Sequence, residues 1–225
     1  MLVDVGVAKT RKYASRESGD TLEMVERPHG GISFVLADGQ RSGRAAKLIS
    51  NIAARKAVAL LAEGARDGVA ARAAHDYLFS VRRGQVRADL QILSVDLQTR
   101  TLVISRNTEC PALLIDGTTL QWLDAPAHPI GIYRQTKPVI VEYPLKVNLG
   151  AIIFTDGLTK AGVRKGTPID LYAEVQALML GGKRVTSARA LADALLARAI
   201  HLEGGLARDD MSVVALLLRP HVERQ

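Results

Sequence analysis

GGISFVLADGQRSGRAAKLISNIAA, residues 30–54, contains the passage from strand to helix on which the fold reading turns. Residues 32–37 form an apolar run, preceded by Gly30-Gly31 and stopped by Asp38-Gly39. A β-favouring run bounded by turn residues reads as a strand. From about residue 42 to residue 63 the period changes. Ala45, Leu48, Ile49 and Ile52 recur at helical spacing, and Gly64 supplies a stop. Asp38 therefore stands at the end of a buried strand, on a rigid element.

Outward from this stretch the same signals repeat. A second helix is expected over residues 69–81. Strands are expected at 90–97 and 101–105 around Gln98-Thr99-Arg100, and at 111–115 and 120–123 around Asp116-Gly117. Further strands fall at 139–143 and 151–155, the second almost wholly apolar and so central. Residues 158–183 carry mixed signals with a helix near 169–179. A clear helix follows at 187–201, and an apolar strand closes the pattern at 211–218. Strands that follow one another in hairpins pair antiparallel. Such sheets bury one face on each other and the other under helices. The expected fold is thus α+β, a four-layer α-β-β-α sandwich of two antiparallel sheets flanked by helices, as a single domain over residues 1–225.

The bulk composition limits the function classes. The chain has 225 residues, 48% hydrophobic and 24% charged, which suits one well-buried soluble domain and excludes disorder and collagen-like structure. No apolar run approaches the roughly 20 residues that span a bilayer. The leading MLVDVGVAKTRK places its apolar part before its basic part, unlike a secretory signal. One cysteine, Cys110, rules out an internal disulfide, and a cytoplasmic location is the default expectation. The net charge of +7 fits nucleic acid, an anionic membrane, phosphorylated or acidic protein partners, or a general use of arginine on solvated faces. Aromatics are 4% and do not interleave with basic residues, against a single-strand binder.

Four acidic motifs sit at strand ends or in turns: Asp20 in SGDTLEM, Asp38 in FVLADGQ, Asp156 in IIFTDGL, and Asp209-Asp210 in ARDDMSVVALLL. Carboxylates that converge repel one another unless cations neutralise them, and hard cations such as Mg²⁺ or Mn²⁺ take oxygen ligands of this type. The glycines after Asp38 and Asp156 are expected to let backbone approach a metal or its waters. Asp67-Gly68 and Asp116-Gly117 read as plain turns.

Taken together, SGDTLEM, FVLADGQRSGRAA, IIFTDGL and ARDDMSVVALLL, in this order and at these distances, resemble the metal-dependent PPM (protein phosphatase 2C) phosphatases. The likeness runs to the bacterial sporulation stage II type branch and its stressosome feedback phosphatase. ILSVDLQTRTLVISRNTECPALLIDG and HPIGI extend it over nearly the whole chain. The resemblance implies a serine/threonine phosphatase with two Mn²⁺ or Mg²⁺ ions. Asp38 would bridge the metals. Asp20 and the Gly39 carbonyl would hold one, and Asp156 and Asp209 the other, with Asp210 the rival for the last place. Asp38 and Asp156 would thereby be catalytic, through a metal-activated water and without a covalent intermediate. The implied partner is a phosphorylated regulator of the stressosome or of a partner-switching circuit, with no nucleic acid and no membrane. The competing readings are a phosphatase fold that has lost turnover and serves as a binding module, and a basic nucleic-acid binder.

The chain departs from that family in places. Arg41 stands where glycine is usual, and is either a bidentate phosphate ligand or a solvated loop charge. Gln40 replaces the histidine that eukaryotic members carry, so leaving-group protonation falls to water. Residues 158–183 are short for the mobile flap of larger members. The five histidines show no ligand spacing, Cys110 lacks a phosphate-cradling loop and reads as a buried thiol, and no nucleotide-binding glycine motif is present.

Overall fold

The computed structural model describes residues 1–180 and 185–221. Its α+β architecture holds two five-stranded sheets, and every strand pairing is antiparallel. The chain divides into two compact units, each assembled from separated segments.

The unit formed by residues 14–110 and 124–144 carries the sheet β2-β3-β4-β5-β8. Its strands are β2 (Asp20–Glu26), β3 (Gly31–Gly39), β4 (Ala88–Asp96), β5 (Thr101–Asn107) and β8 (Val139–Pro144), with helices α1 (Gly43–Ala62) and α2 (Asp67–Arg82). Val35, Ala37, Leu90 and Ile92 pack with Ile49, Ala53, Ala57, Leu61, Ala70, Ala74 and Leu78 of the two helices in one core cluster. The buried stripe of α1 runs through Ala46, Ile49, Ala53 and Ala57, while Leu48 is exposed. The expected stripe on Ala45 and Leu48 is therefore rotated. The small alanines face the sheet because they let helix and strands approach closely.

Asp67-Gly68 is not the plain turn expected of it. Asp67 is the first residue of α2, buried, and ion-paired to Arg27 at 3.2 Å. Arg27 also pairs with Asp96 at 3.2 Å and donates to the Ala65 carbonyl, so two carboxylates and a carbonyl compensate one buried guanidinium. His75 lies in the core with Nδ1 accepting the Gly131 N–H at 3.1 Å. Cys110 is buried, as expected, and its carbonyl accepts from the buried Arg106 guanidinium at 3.0 Å.

The unit formed by residues 1–13, 111–123 and 145–225 carries the sheet β1-β10-β9-β6-β7. The strands are β1 (Leu2–Thr10), β6 (Ala112–Asp116), β7 (Thr119–Leu123), β9 (Leu149–Phe154) and β10 (Met211–Arg219). Beside them lie α3 (Asp156–Thr159), α4 (Leu171–Leu180) and α5 (Ala188–Leu202). β9 is buried throughout and sits third of five, as its apolar run predicts. β1 was not expected as a strand. Asp4 and Gly6 interrupt its apolar pattern, and both serve α5. Asp4 accepts the Ala188 N–H at 3.0 Å, and a Cβ on Gly6 would lie 2.1 Å from the Ala188 carbonyl oxygen. Of the short segment 158–183, residues 181–183 lie outside the described residues.

Candidate metal centre

Two pairs of aspartates come together, one pair in each unit. In the first, Asp20 opens β2 and Asp38 stands next to the end of β3, and the ladder sets them directly opposite each other. Asp38 is in turn opposite Asp89 at the start of β4. Directly opposed residues of antiparallel strands project from one face, so three carboxylates form a row across three strands. With strands about 4.8 Å apart, Asp20 and Asp89 flank Asp38 at roughly 10 Å from one another. Like charges so placed repel, which a cation relieves.

Helix α1 fixes the head of this row. Lys47 Nζ donates to the Asp20 carbonyl at 2.8 Å and to Thr21 Oγ1 at 3.0 Å. The Ser50 hydroxyl donates to the Gly19 carbonyl at 2.6 Å, and Thr21 Oγ1 donates to Asn51 at 2.8 Å. A Cβ on Gly39 would sit 2.0 Å from the Ala46 carbonyl oxygen. Glycine is thus demanded by the first turn of α1 crossing the strand end, a requirement additional to the metal approach anticipated. In the following loop, the Gln40 N–H donates to the Arg87 carbonyl at 3.1 Å and Gln40 Oε1 accepts the Arg87 N–H at 3.2 Å. Gln40 is committed to holding two loops together. Arg41 is exposed and has φ 80, a left-handed conformation that costs a non-glycine residue.

In the second pair, Asp156 is the first residue of α3, two residues past the end of β9, and Asp209 lies two residues before β10. A Cβ on Gly157 would meet the Asp210 carbonyl oxygen at 2.1 Å and Asp209 Cβ at 3.2 Å, so the two loops touch at this glycine. Burial pushes the Asp209 carboxyl above the usual carboxylate range, and the neighbouring Asp156 and Asp210 carboxylates push the same way. The Asp210 N–H, which donates to Asp209 Oδ1 at 3.0 Å, and Lys12 act against that rise. Asp210 is buried and accepts the Lys12 N–H at 2.9 Å, which ties the end of β1 to this loop. The Lys160 ammonium is ion-paired to Asp156 one helical turn on.

Among the described residues no three His, Cys, Asp or Glu side chains close around one point. The carboxylates come as the Asp20–Asp38–Asp89 row in one unit and the Asp156–Asp209 pair in the other. Mg²⁺ and Mn²⁺ sites accept such sets, taking one or two carboxylates and completing the sphere with water. The residues present fit a divalent cation on the chemistry of their donors.

Residues 28–219 match the family described as stage II sporulation protein E, SpoIIE. The chain belongs to the SpoIIE family. That match takes in Asp38, Asp156 and Asp209, and begins after Asp20. Stage II sporulation protein E of Priestia megaterium is 22% identical over 218 residues, covering 97% of this chain and 37% of the relative. The chain thus spans little more than a third of the curated relative it matches. The PP2C phosphatase domain of SpoIIE from Bacillus subtilis, solved with a fragment of its regulatory domain, superposes with a TM-score of 0.80 at 24% identity. That likeness covers 98% of this chain and 64% of the solved one. The catalytic domain of the serine/threonine phosphatase PstP, in complex with two manganese ions, has a TM-score of 0.73 at 14% identity over 97% of this chain and 99% of its own. The SpoIIE-family chain therefore has the PP2C phosphatase fold.

Sequence reading did not find Asp89, Lys47 or Lys160. Asp89 opens an apolar run, as Asp38 ends one, but its meaning depends on a strand register that no local pattern specifies.

Proposed function

We propose that this SpoIIE-family chain, acting over residues 1–225 as one phosphatase domain, is a metal-dependent protein serine/threonine phosphatase. What carries the reading is the in-register opposition of Asp20 and Asp38 within a chain that also draws Asp156 and Asp209 together. Asp20, Asp38 and the Gly39 carbonyl would hold one cation, and Asp156 and Asp209 the other. When bound, such cations supply a water of lowered pKa and positive charge for the phosphoryl oxygens. Asp209 is favoured over Asp210 because its side chain lies against Gly157 and feels the Asp156 carboxylate, while the Asp210 carboxylate accepts from the backbone of Lys12 at the end of β1. The exposed Arg41 guanidinium would orient the phosphoryl group by paired N–H bonds. Gln40 has no titratable proton and its carbonyl is taken by Arg87, so water protonates the leaving oxygen.

The substrate class is a phosphoserine or phosphothreonine on a regulatory protein, of the stressosome or a partner-switching circuit by family resemblance. The net charge of +7 supports an acidic, phosphorylated partner. Among the described residues no helix is long and apolar enough to cross a membrane. The test is phosphate release from p-nitrophenyl phosphate with Mn²⁺. Activity that vanishes with EDTA and in Asp38→Asn supports the proposal. Activity indifferent to both sinks it, and metal binding without turnover on any phosphoprotein favours the silent binding module instead.

A further inference from the structure

Lys160 occupies a position that the proposed phosphatase chemistry leaves unexplained. It caps α3 at its C-terminal end, four residues after Asp156, and the two side chains form an ion pair on one face of that single turn. The Lys160 side chain is 64% exposed, the Asp156 side chain 31%. The ammonium therefore reaches its carboxylate from the solvent side and has room to leave. Lys160 also lines a cleft of about 140 Å³, together with Gly157, Arg164, Arg208 and Asp209 among others. Arg208 pairs with Glu203 at 3.4 Å, whereas Lys160 is directed at a carboxylate assigned above to a cation.

We propose that Lys160 is a built-in counter-ion that competes with the divalent cation for Asp156, and so sets how tightly that cation is held. The inference rests on the assignment of Asp156 as a metal ligand. A carboxylate already neutralised by a tethered ammonium offers less attraction to a second cation. The ammonium must swing into solvent before the cation takes its place, and once displaced it remains a positive charge within a few ångströms of the ion. An exposed pair of this kind is weak, so displacement is readily achieved and the effect is one of tuning, about two- to five-fold in affinity. Lysine suits this role because its ammonium is a point charge on a flexible stem.

The experiment titrates Mn²⁺ alone into the metal-stripped full chain by calorimetry, for the wild type, Lys160→Met, Lys160→Arg and Asp156→Asn. Thermal melting checks that each variant is folded. Lys160→Met is expected to bind one Mn²⁺ about two- to five-fold more tightly, with Lys160→Arg near the wild type. Equal or weaker binding by Lys160→Met, while Asp156→Asn loses a site, overturns the counter-ion role and leaves the metal assignment standing. If Asp156→Asn binds as many ions as tightly as the wild type, the ligand assignment fails and the inference falls with it.

Discussion

Arg41 holds φ 80 on an exposed loop beside the Asp38 row, a conformation that suits glycine better than arginine. Under the proposal above, arginine is kept there for its contact with the phosphoryl group. Arg41→Gly is expected to stabilise the fold by about 0.5–1 kcal/mol, read as a raised urea midpoint, while raising KM for p-nitrophenyl phosphate. A variant that gains stability with unchanged KM would mark Arg41 as a solvated charge. Gly39 and Gly157 make the opposite case. Cβ atoms there would stand 2.0 Å and 2.1 Å from carbonyl oxygens of Ala46 and Asp210. Gly39→Ala and Gly157→Ala should each cost about 1–3 kcal/mol in urea unfolding. At this scale both Asp-Gly motifs are legible in the sequence, but the backbone crossing that also requires glycine is not. A turn, a metal approach and a backbone crossing all ask for glycine, and only the crossing depends on a residue distant in sequence.

Helix α2 shows which element properties are legible and which are not. Its existence was plain from residues 69–81, yet its true start at Asp67 is set by the buried Arg27 and Asp96, which periodicity does not report. Strands β1 and β2 were missed for a related reason. Asp4, Gly6 and Asp20 serve a helix end, a close contact and the aspartate row, so each breaks the alternation that marks a strand. The same helix carries a pH dependence. Burial lowers the pKa of His75 from its ordinary 6.5; Arg72 works in the same direction, Asp76 against it. The neutral ring accepts the Gly131 N–H, so its stabilising effect is complete above the unfolded pKa and is lost as pH falls from 6.5 through the folded value. Between about pH 7.5 and about pH 5.5 the wild-type melting temperature should fall more steeply than that of His75→Gln, which keeps an acceptor but cannot titrate. Parallel curves would show that His75 is not the group responsible. Removing the partner of the buried guanidinium is a harsher change. Asp67→Ala should cost about 3–5 kcal/mol, measured in urea, because Arg27 is left under-compensated in the core.

Across the whole molecule, neither unit is encoded by a continuous stretch, since each collects strands from separated segments. Hairpin signals still sufficed to predict antiparallel sheets, because three of the eight pairings, β2 with β3, β4 with β5 and β6 with β7, are joined by short turns. The pairings of β1 with β10 and of β6 with β9 are long-range and had no local signature. Charge is the other whole-chain property, and the one that bears on partners. A net charge of +7 and a sequence pI near 9.7 give a positive field at neutral pH. Such a field raises the encounter rate of anionic substrates and is screened as the Debye length falls from about 10 Å at 0.1 M salt to about 3 Å at 1 M. A phosphopeptide flanked by aspartates should therefore show a higher kcat/KM at low salt than the same peptide flanked by lysines, and the two should converge as salt is raised. The difference should lie in KM, because steering changes encounter and leaves the groups at the phosphorus untouched. Equal values for the two peptides at low salt would assign the basic excess to solvated surface arginines and separate substrate choice from net charge.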